Sequence, residues 1–256
     1  MSAFFHTFFY QPLYNALIFL LGALPWIDAG VAVVILTFVV KLILFPFSQK
    51  AVRSQLEMKV LEPELALIRK KYTNKKEEQA KAIMALYKEK KVNPFSSFLL
   101  LLVQLPIILA LYQIFISSGL PEIQTSLLYS FVTTPHDFGM NFLNLSFLNI
   151  AQKSYVLAAL AGITSYFQLK ISTSSMAPIP QGGEKSFQND LMRSMQTQMK
   201  YVFPVMVFFI AYSISGAVAL YWFTSNVFTI LQELFVKRKL EGERMKLAGI
   251  QVIQKP

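Results

Sequence analysis

Lys41 lies inside VAVVILTFVVKLILFPF, from Val31 to Phe47, the most apolar stretch in the first half of the chain. A cation at the centre of a membrane-crossing helix costs about 2.5–3.5 kcal/mol on insertion scales, so it needs water, a partner or an exit. Two uses follow from the residue type. Held in a wet recess, the ammonium is a local positive field for anionic groups that pass it. Alternatively it snorkels, stretching toward the polar level marked by Ser48, about two helical turns away.

Lys41 is accompanied by polar groups in other apolar stretches: Thr37, Gln104, Gln168, Tyr221, Trp222, Thr224 and Asn226. Gln104 is followed two residues later by Pro106, whose missing N–H leaves a carbonyl to be satisfied by a neighbour or by water. A buried amide in a membrane bundle is most often interhelical glue. Their spread over four of five apolar segments, together with a cation, points beyond glue to a polar site within the membrane.

Group-transfer chemistry finds no support. The chain has no cysteine, which removes disulfides, thiolate metal sites and Cys nucleophiles. Its two histidines, His6 and His136, have no second ligand at helical spacing. Glu57, Glu62, Glu64, Glu77, Glu78 and Glu89 fall in a basic, polar segment where solvated helix faces account for them. No catalytic residue, cofactor or metal site is expected.

The elements that must position these groups are membrane helices. Apolar residues make up 54% of the chain and charged residues 15%, and the apolar ones fall in blocks, the profile of a polytopic membrane protein. Five spans are expected, at Val31 to Phe47, Phe95 to Ile116, Tyr155 to Ile171, Tyr201 to Ser215 and Ala217 to Val236. The third and fourth are short against the roughly 20 residues of a standard span. The second starts with Asn93 as a cap and Pro94 at the first helical position. The N-terminal block lacks the charged start of a signal peptide, and Pro25 and Asp28 close its short apolar run, so it reads as an aromatic-rich helix lying in the interface.

Cations set the expected orientation. None precedes Lys41 and none falls in Ser117 to Gln152, whereas Ser48 to Asn93 is densely basic. Lys185, Arg193 and Lys200 occupy the next even connection, and Lys237, Arg238, Lys239, Arg244 and Lys246 the tail. This places the N-terminus outside and the C-terminus in the cytoplasm. Within the basic segment, Leu61, Leu65, Ile68 and Tyr72 form one apolar stripe and Ala80, Ile83, Met84 and Tyr87 another, with Thr73 and Asn74 as the turn of a helical hairpin. Its basic faces are either simply solvated or a docking surface for an acidic partner such as lipid headgroups or ribosomal RNA.

The runs LEPELALIRKKY, ALYKEKKVNPFSSFLLLLVQLPIILALYQIF and FPVMVFFIAYSISGAVALYWFTSN, in that order, resemble the YidC/Oxa/Alb family of membrane protein insertases. The resemblance extends from about Gln11 to Lys239. It implies an all-α fold of five transmembrane helices around a hydrophilic groove open to cytoplasm and lipid. Residues 1–30 would be the outer interfacial helix, 31–54 and 95–236 the core, 55–92 the hairpin and 237–256 the basic tail. The family's groove cation, commonly Arg, falls on Lys41, with Thr37 one turn before it. Lysine keeps the charge and loses the fork geometry. Gln168, Tyr221 and Trp222 match groove positions, and Gln104 joins them from the residue reading.

The implied function is a membrane protein insertase and chaperone, without nucleotide hydrolysis, in a bacterial plasma membrane. Its expected partners are nascent membrane proteins and the bilayer, with the ribosome and the Sec translocon as further candidates, and no DNA. The chain is expected to lack the extra N-terminal span and large outer domain of many relatives, and the lipidated Cys of others. Its short, moderately basic tail argues for weak ribosome contact. A non-inserting assembly scaffold and a small transporter are the alternatives; the transporter lacks the internal repeat common to such folds.

Overall fold

A computed structural model of the chain describes residues 3–73, 75–93, 96–116, 120, 122–135, 138–173 and 198–253. Asn74 of the expected turn, Pro94 at the expected helix start, His136, and Lys185 and Arg193 of the later basic connection lie outside the described residues. The fold is helical, with one two-stranded antiparallel hairpin among those residues.

Helix α1 (Gln11–Ala23) continues a π-helical turn, His6–Tyr10. Tyr14, Leu17, Ile18 and Leu21 on its inner face are buried in the main core. Helix α2 (Ala29–Val60) starts where Asp28, in extended conformation, accepts the Val31 N–H at 2.8 Å. Such a cap satisfies one of the orphan donors of a helix start, worth about 1 kcal/mol. The helix carries Pro46 and runs unbroken past Ser48 to Val60. Among the described residues it is the one helix long and apolar enough to cross a membrane; Gln104–Phe115 and Lys200–Ile214 are shorter apolar helices.

Helices α3 (Glu62–Lys71) and α4 (Lys76–Glu89) pack together as a basic helical hairpin. Their small core is Leu61, Leu65, Leu86 and Val92, with Met58, Ile68, Ile83 and Tyr87 against it. The expected second stripe is rotated: Met84 and Ala80 are exposed, and Leu86 takes the inward place. Ile83, Leu86 and Tyr87, at i, i+3 and i+4, form the inward stripe, and the Gln79 amide on the same face donates to the Arg69 carbonyl at 3.1 Å. Ser54 Oγ, donating to the Asn93 carbonyl at 2.8 Å, ties the hairpin's base to α2.

Helix α5 (Ser96–Ile116) contains Pro106; α6 (Tyr155–Thr173) follows the β hairpin; α7 (Phe203–Ile214) and α8 (Gly216–Ile253) are separated by Ser215 alone. Helix α8 is the centre of the bundle and packs on both α2 and α6, while α7 packs on α6. Asn226 latches α8 to α6, donating to Ser165 Oγ at 2.8 Å and Thr164 Oγ1 at 3.2 Å. The outward faces are apolar: Ile43 on α2, Phe209 on α7 and Phe235 on α8 are each about 60% exposed. A bundle with polar groups inside and bare hydrocarbon outside suits lipid as its solvent.

The connection between α5 and α6 closes one end of this bundle. Asn15 accepts the Tyr129 N–H at 2.6 Å and donates to the Leu127 carbonyl at 2.9 Å; Tyr14 OH accepts the Gln124 N–H at 2.8 Å. Strands β1 (Asn141–Phe142) and β2 (Leu145–Asn149) follow, joined by Leu143 and Asn144 with φ of 55° and 56°. Left-handed backbone costs a non-glycine residue about 1–2 kcal/mol, and asparagine tolerates it best. At Gly216 a Cβ would lie 3.0 Å from the Ile150 Cα, tighter than an ordinary contact, so glycine lets the start of α8 seat closely against this connection.

Candidate functional site

Helices α2, α5 and α8 meet around Lys41. Its Nζ donates to Thr229 Oγ1 at 3.2 Å on α8 and lies 3.5 Å from Gln104 Oε1 on α5. The Gln104 amide NH2 donates in turn to the Tyr221 hydroxyl on α8. Thr229 donates its own proton to the Ser225 carbonyl at 2.8 Å, which leaves its lone pairs free to receive the ammonium. Lys41 therefore bends sideways into the bundle instead of stretching along α2 toward Ser48.

Among the described residues Lys41 has no ion-pair partner; its hydrogen-bond acceptors are neutral. Neutral dipoles solvate the cation without cancelling its charge, so a net positive potential remains around Lys41. In surroundings of low dielectric that potential reaches further than it would in water.

Two further polar levels follow along α8. Gln232 donates to Ser48 Oγ and to the Phe45 carbonyl on α2, the latter at 3.4 Å. Next to it Glu233, 1% exposed, pairs with Lys237 at 3.4 Å, and Lys237 also donates to the Ile171 carbonyl at the end of α6, at 2.8 Å. Thus Lys237, expected as part of a plain basic tail, closes α8 onto α6.

The residues expected at the site divide. Lys41, Gln104 and Tyr221 come together. Thr37 shares α2 with Lys41, but it is 1% exposed and its hydroxyl donates to the Val33 carbonyl at 2.7 Å. Trp222 packs half-buried against the main core. Gln168 is half-buried on α6, and among the described residues no hydrogen bond joins it to Lys41. Sequence reading passed over Thr229, Gln232 and Glu233. The signal was present: Tyr221, Ser225, Thr229 and Gln232 recur at spacings of four, four and three, a polar stripe on one face of the last helix.

Comparison with known proteins agrees with the motifs. Residues 22–243 match the model of the 60Kd inner membrane protein family. The chain is 34% identical over 210 residues to the membrane protein insertase YidC of Fusobacterium nucleatum, covering 82% of this chain and 86% of that protein. It is 33% identical over 226 residues to YidC of Clostridium perfringens, covering 84% of each. With YidC of a Geobacter species it shares 27% identity over 212 residues, 83% of this chain and 34% of that longer protein.

Proposed function

The chain belongs to the 60Kd inner membrane protein family, that of the YidC/Oxa/Alb insertases, and on that premise we propose that it inserts hydrophobic segments of nascent proteins into the bacterial inner membrane through a polar groove centred on Lys41. The observation that carries the reading is the ammonium solvated by neutral groups from two other helices, Gln104 and Thr229, deep among apolar segments.

Helices α2, α5, α6, α7 and α8 are the five spans of this reading, with α1 at the outer interface and the α3–α4 hairpin and C-terminal tail in the cytoplasm. The α5–α6 connection, bound to Tyr14, Asn15 and Asp28, is the outer closure. Lys41, Gln104 and Tyr221 line the groove with Thr229; Thr37, Gln168 and Trp222 border it. Residues 55–92 form the docking hairpin, and the ribosome and Sec translocon are the partners whose nascent chains it would meet.

The energetics follow from solvation. A polar tail entering unsolvated hydrocarbon loses several kcal/mol for each unpaired group, and a recess carrying an ammonium, amide and hydroxyls removes part of that barrier. An acidic tail gains further from the uncancelled charge. The substrate's apolar segment then leaves sideways into lipid, at about 25 cal/mol per Å² of apolar surface withdrawn from water. No bond is made or broken, so no nucleophile or acid–base pair is called for.

The test is reconstitution of the purified chain alone in vesicles with a short single-span substrate. Protease protection of the translocated tail, proportional to the amount of protein incorporated, is expected. Solute flux without protection would show a transporter, and binding without protection an assembly scaffold.

A further inference from the structure

The turn of the β hairpin runs against its own local preference. A two-residue turn with positive φ at both positions is ordinarily built from Asn and Gly. Asn144 suits it and Leu143 does not, and Leu143 is 58% exposed, so packing within this chain does not recover the strain. Leu145 and Phe147 stand two apart on one face of β2, exposed at 38% and 69%, whereas Leu148 on the opposite face is buried. From Phe138 to Gln152 no side chain is ionisable.

The hairpin's position is fixed against the start of α2. Asp28 Oδ2 accepts the Asn144 N–H at 2.6 Å, and the Gly139 carbonyl accepts the Ala29 N–H at 2.8 Å. At Gly30 a Cβ would fall 2.6 Å from the Asn141 carbonyl oxygen and 2.7 Å from the Phe142 Cα, so hairpin and helix touch backbone to backbone. The tip thus sits at the level where the apolar helix begins. Trp26, two residues before Asp28 and 75% exposed, is of the type enriched at membrane interfaces. Strained backbone kept for an exposed apolar side chain is characteristic of a used surface.

We propose that Leu143, Leu145 and Phe147 form a lipid-contact tip that inserts into the leaflet at the Asp28 end of α2, seated among phospholipid acyl chains near the glycerol level. The absence of charge from Phe138 to Gln152 and the exposed Trp26 beside the hairpin's anchor select lipid over an aqueous protein partner. The proposal rests on α2 crossing the bilayer.

The test uses the natural cysteine-free background. Full-length Phe147→Cys and Leu143→Cys variants, labelled with an environment-sensitive fluorophore, are reconstituted in phosphatidylethanolamine–phosphatidylglycerol vesicles, with Ser126→Cys and Ile43→Cys as aqueous and mid-helix references. The expected result is blue-shifted emission at both tip positions, quenched by shallow lipid nitroxides and protected from aqueous iodide, with Ser126→Cys showing the reverse. Tip positions that behave like Ser126→Cys overturn the proposal. So does a blue shift that grows with protein-to-lipid ratio and ignores lipid nitroxides, which would mark a second copy as the occupant. An Ile43→Cys probe untouched by lipid nitroxides would bring down the spanning premise itself, and this proposal with it.

Discussion

Lys41 Nζ and Thr229 Oγ1 stand 3.2 Å apart although 188 residues of chain separate them. The contact joins the cation of the first long helix to the last, and it converts a snorkelling lysine into an inward-facing one. Hydrogen bonds to a charged group contribute about 1.5–3 kcal/mol each, so losing this one should release the ammonium to other orientations.

Thr229→Val should therefore lower insertion of a substrate with an acidic tail while leaving the chain folded, because valine keeps the shape of threonine. Thr229→Ser, which restores the acceptor, should recover most of the activity. Protease protection in vesicles at matched incorporation is the measurement; equal activity of Thr229→Val and the natural chain would remove Thr229 from the site.

Glu233 and Lys237 should respond unequally to substitution. Lys237→Met takes from Glu233, 1% exposed, its lysine partner, whereas after Glu233→Gln the less buried Lys237 can still reach water. Removing one partner of a buried pair costs about 3–5 kcal/mol, and less where water reaches. Lys237→Met is thus expected to lower the thermal midpoint in detergent more than Glu233→Gln, and the double substitution to recover part of the loss. An equal drop from both single changes would contradict this.

Asn226 makes its bonds across to α6, and such interhelical bonds contribute about 0.6 kcal/mol on average and up to about 1.7 in a membrane bundle. Asn226→Ala should lower the thermal midpoint modestly without changing the preference for acidic tails. A selective loss on acidic tails would instead place Asn226 in the groove.

Asp28 accepts from both Val31 and Asn144, so Asp28→Ala removes a helix cap and the hairpin's anchor together. The cap alone is worth about 1 kcal/mol. Limited proteolysis should show faster cleavage near Leu143, with Asp28→Asn intermediate because an amide oxygen can replace one carboxylate oxygen. Unchanged cleavage would mean the turn holds itself.

Much of this arrangement was legible in the sequence. The apolar runs located the helices, and Lys41 and Gln104 stood out because polar groups are costly in such runs. The limits were physical. Thr37 lies one turn from Lys41, but a threonine in a helix can spend its hydroxyl on the carbonyl four residues back, as Thr37 does on Val33. Thr229 was hidden by the same ambiguity, and only the facing helix distinguishes the two. Met84 and Leu86 exchanged places because two overlapping apolar stripes run along α4, and Leu61 and Leu65 of the facing segment pack on the one through Leu86. The rigid seating of the β hairpin on Gly30 depends on contacts distant in sequence.

Assistance of anionic-tail translocation by the Lys41 charge is read out by a charge series. The natural chain, Lys41→Arg, Lys41→Ala and Lys41→Glu are reconstituted at equal incorporation and given one single-span substrate with either an acidic or a neutral tail. Lys41→Arg should retain protection of the acidic tail, Lys41→Ala and still more Lys41→Glu should lose it, and the neutral tail should depend on the series far less. Equal protection of the acidic tail by the natural chain and by Lys41→Glu would contradict that assistance.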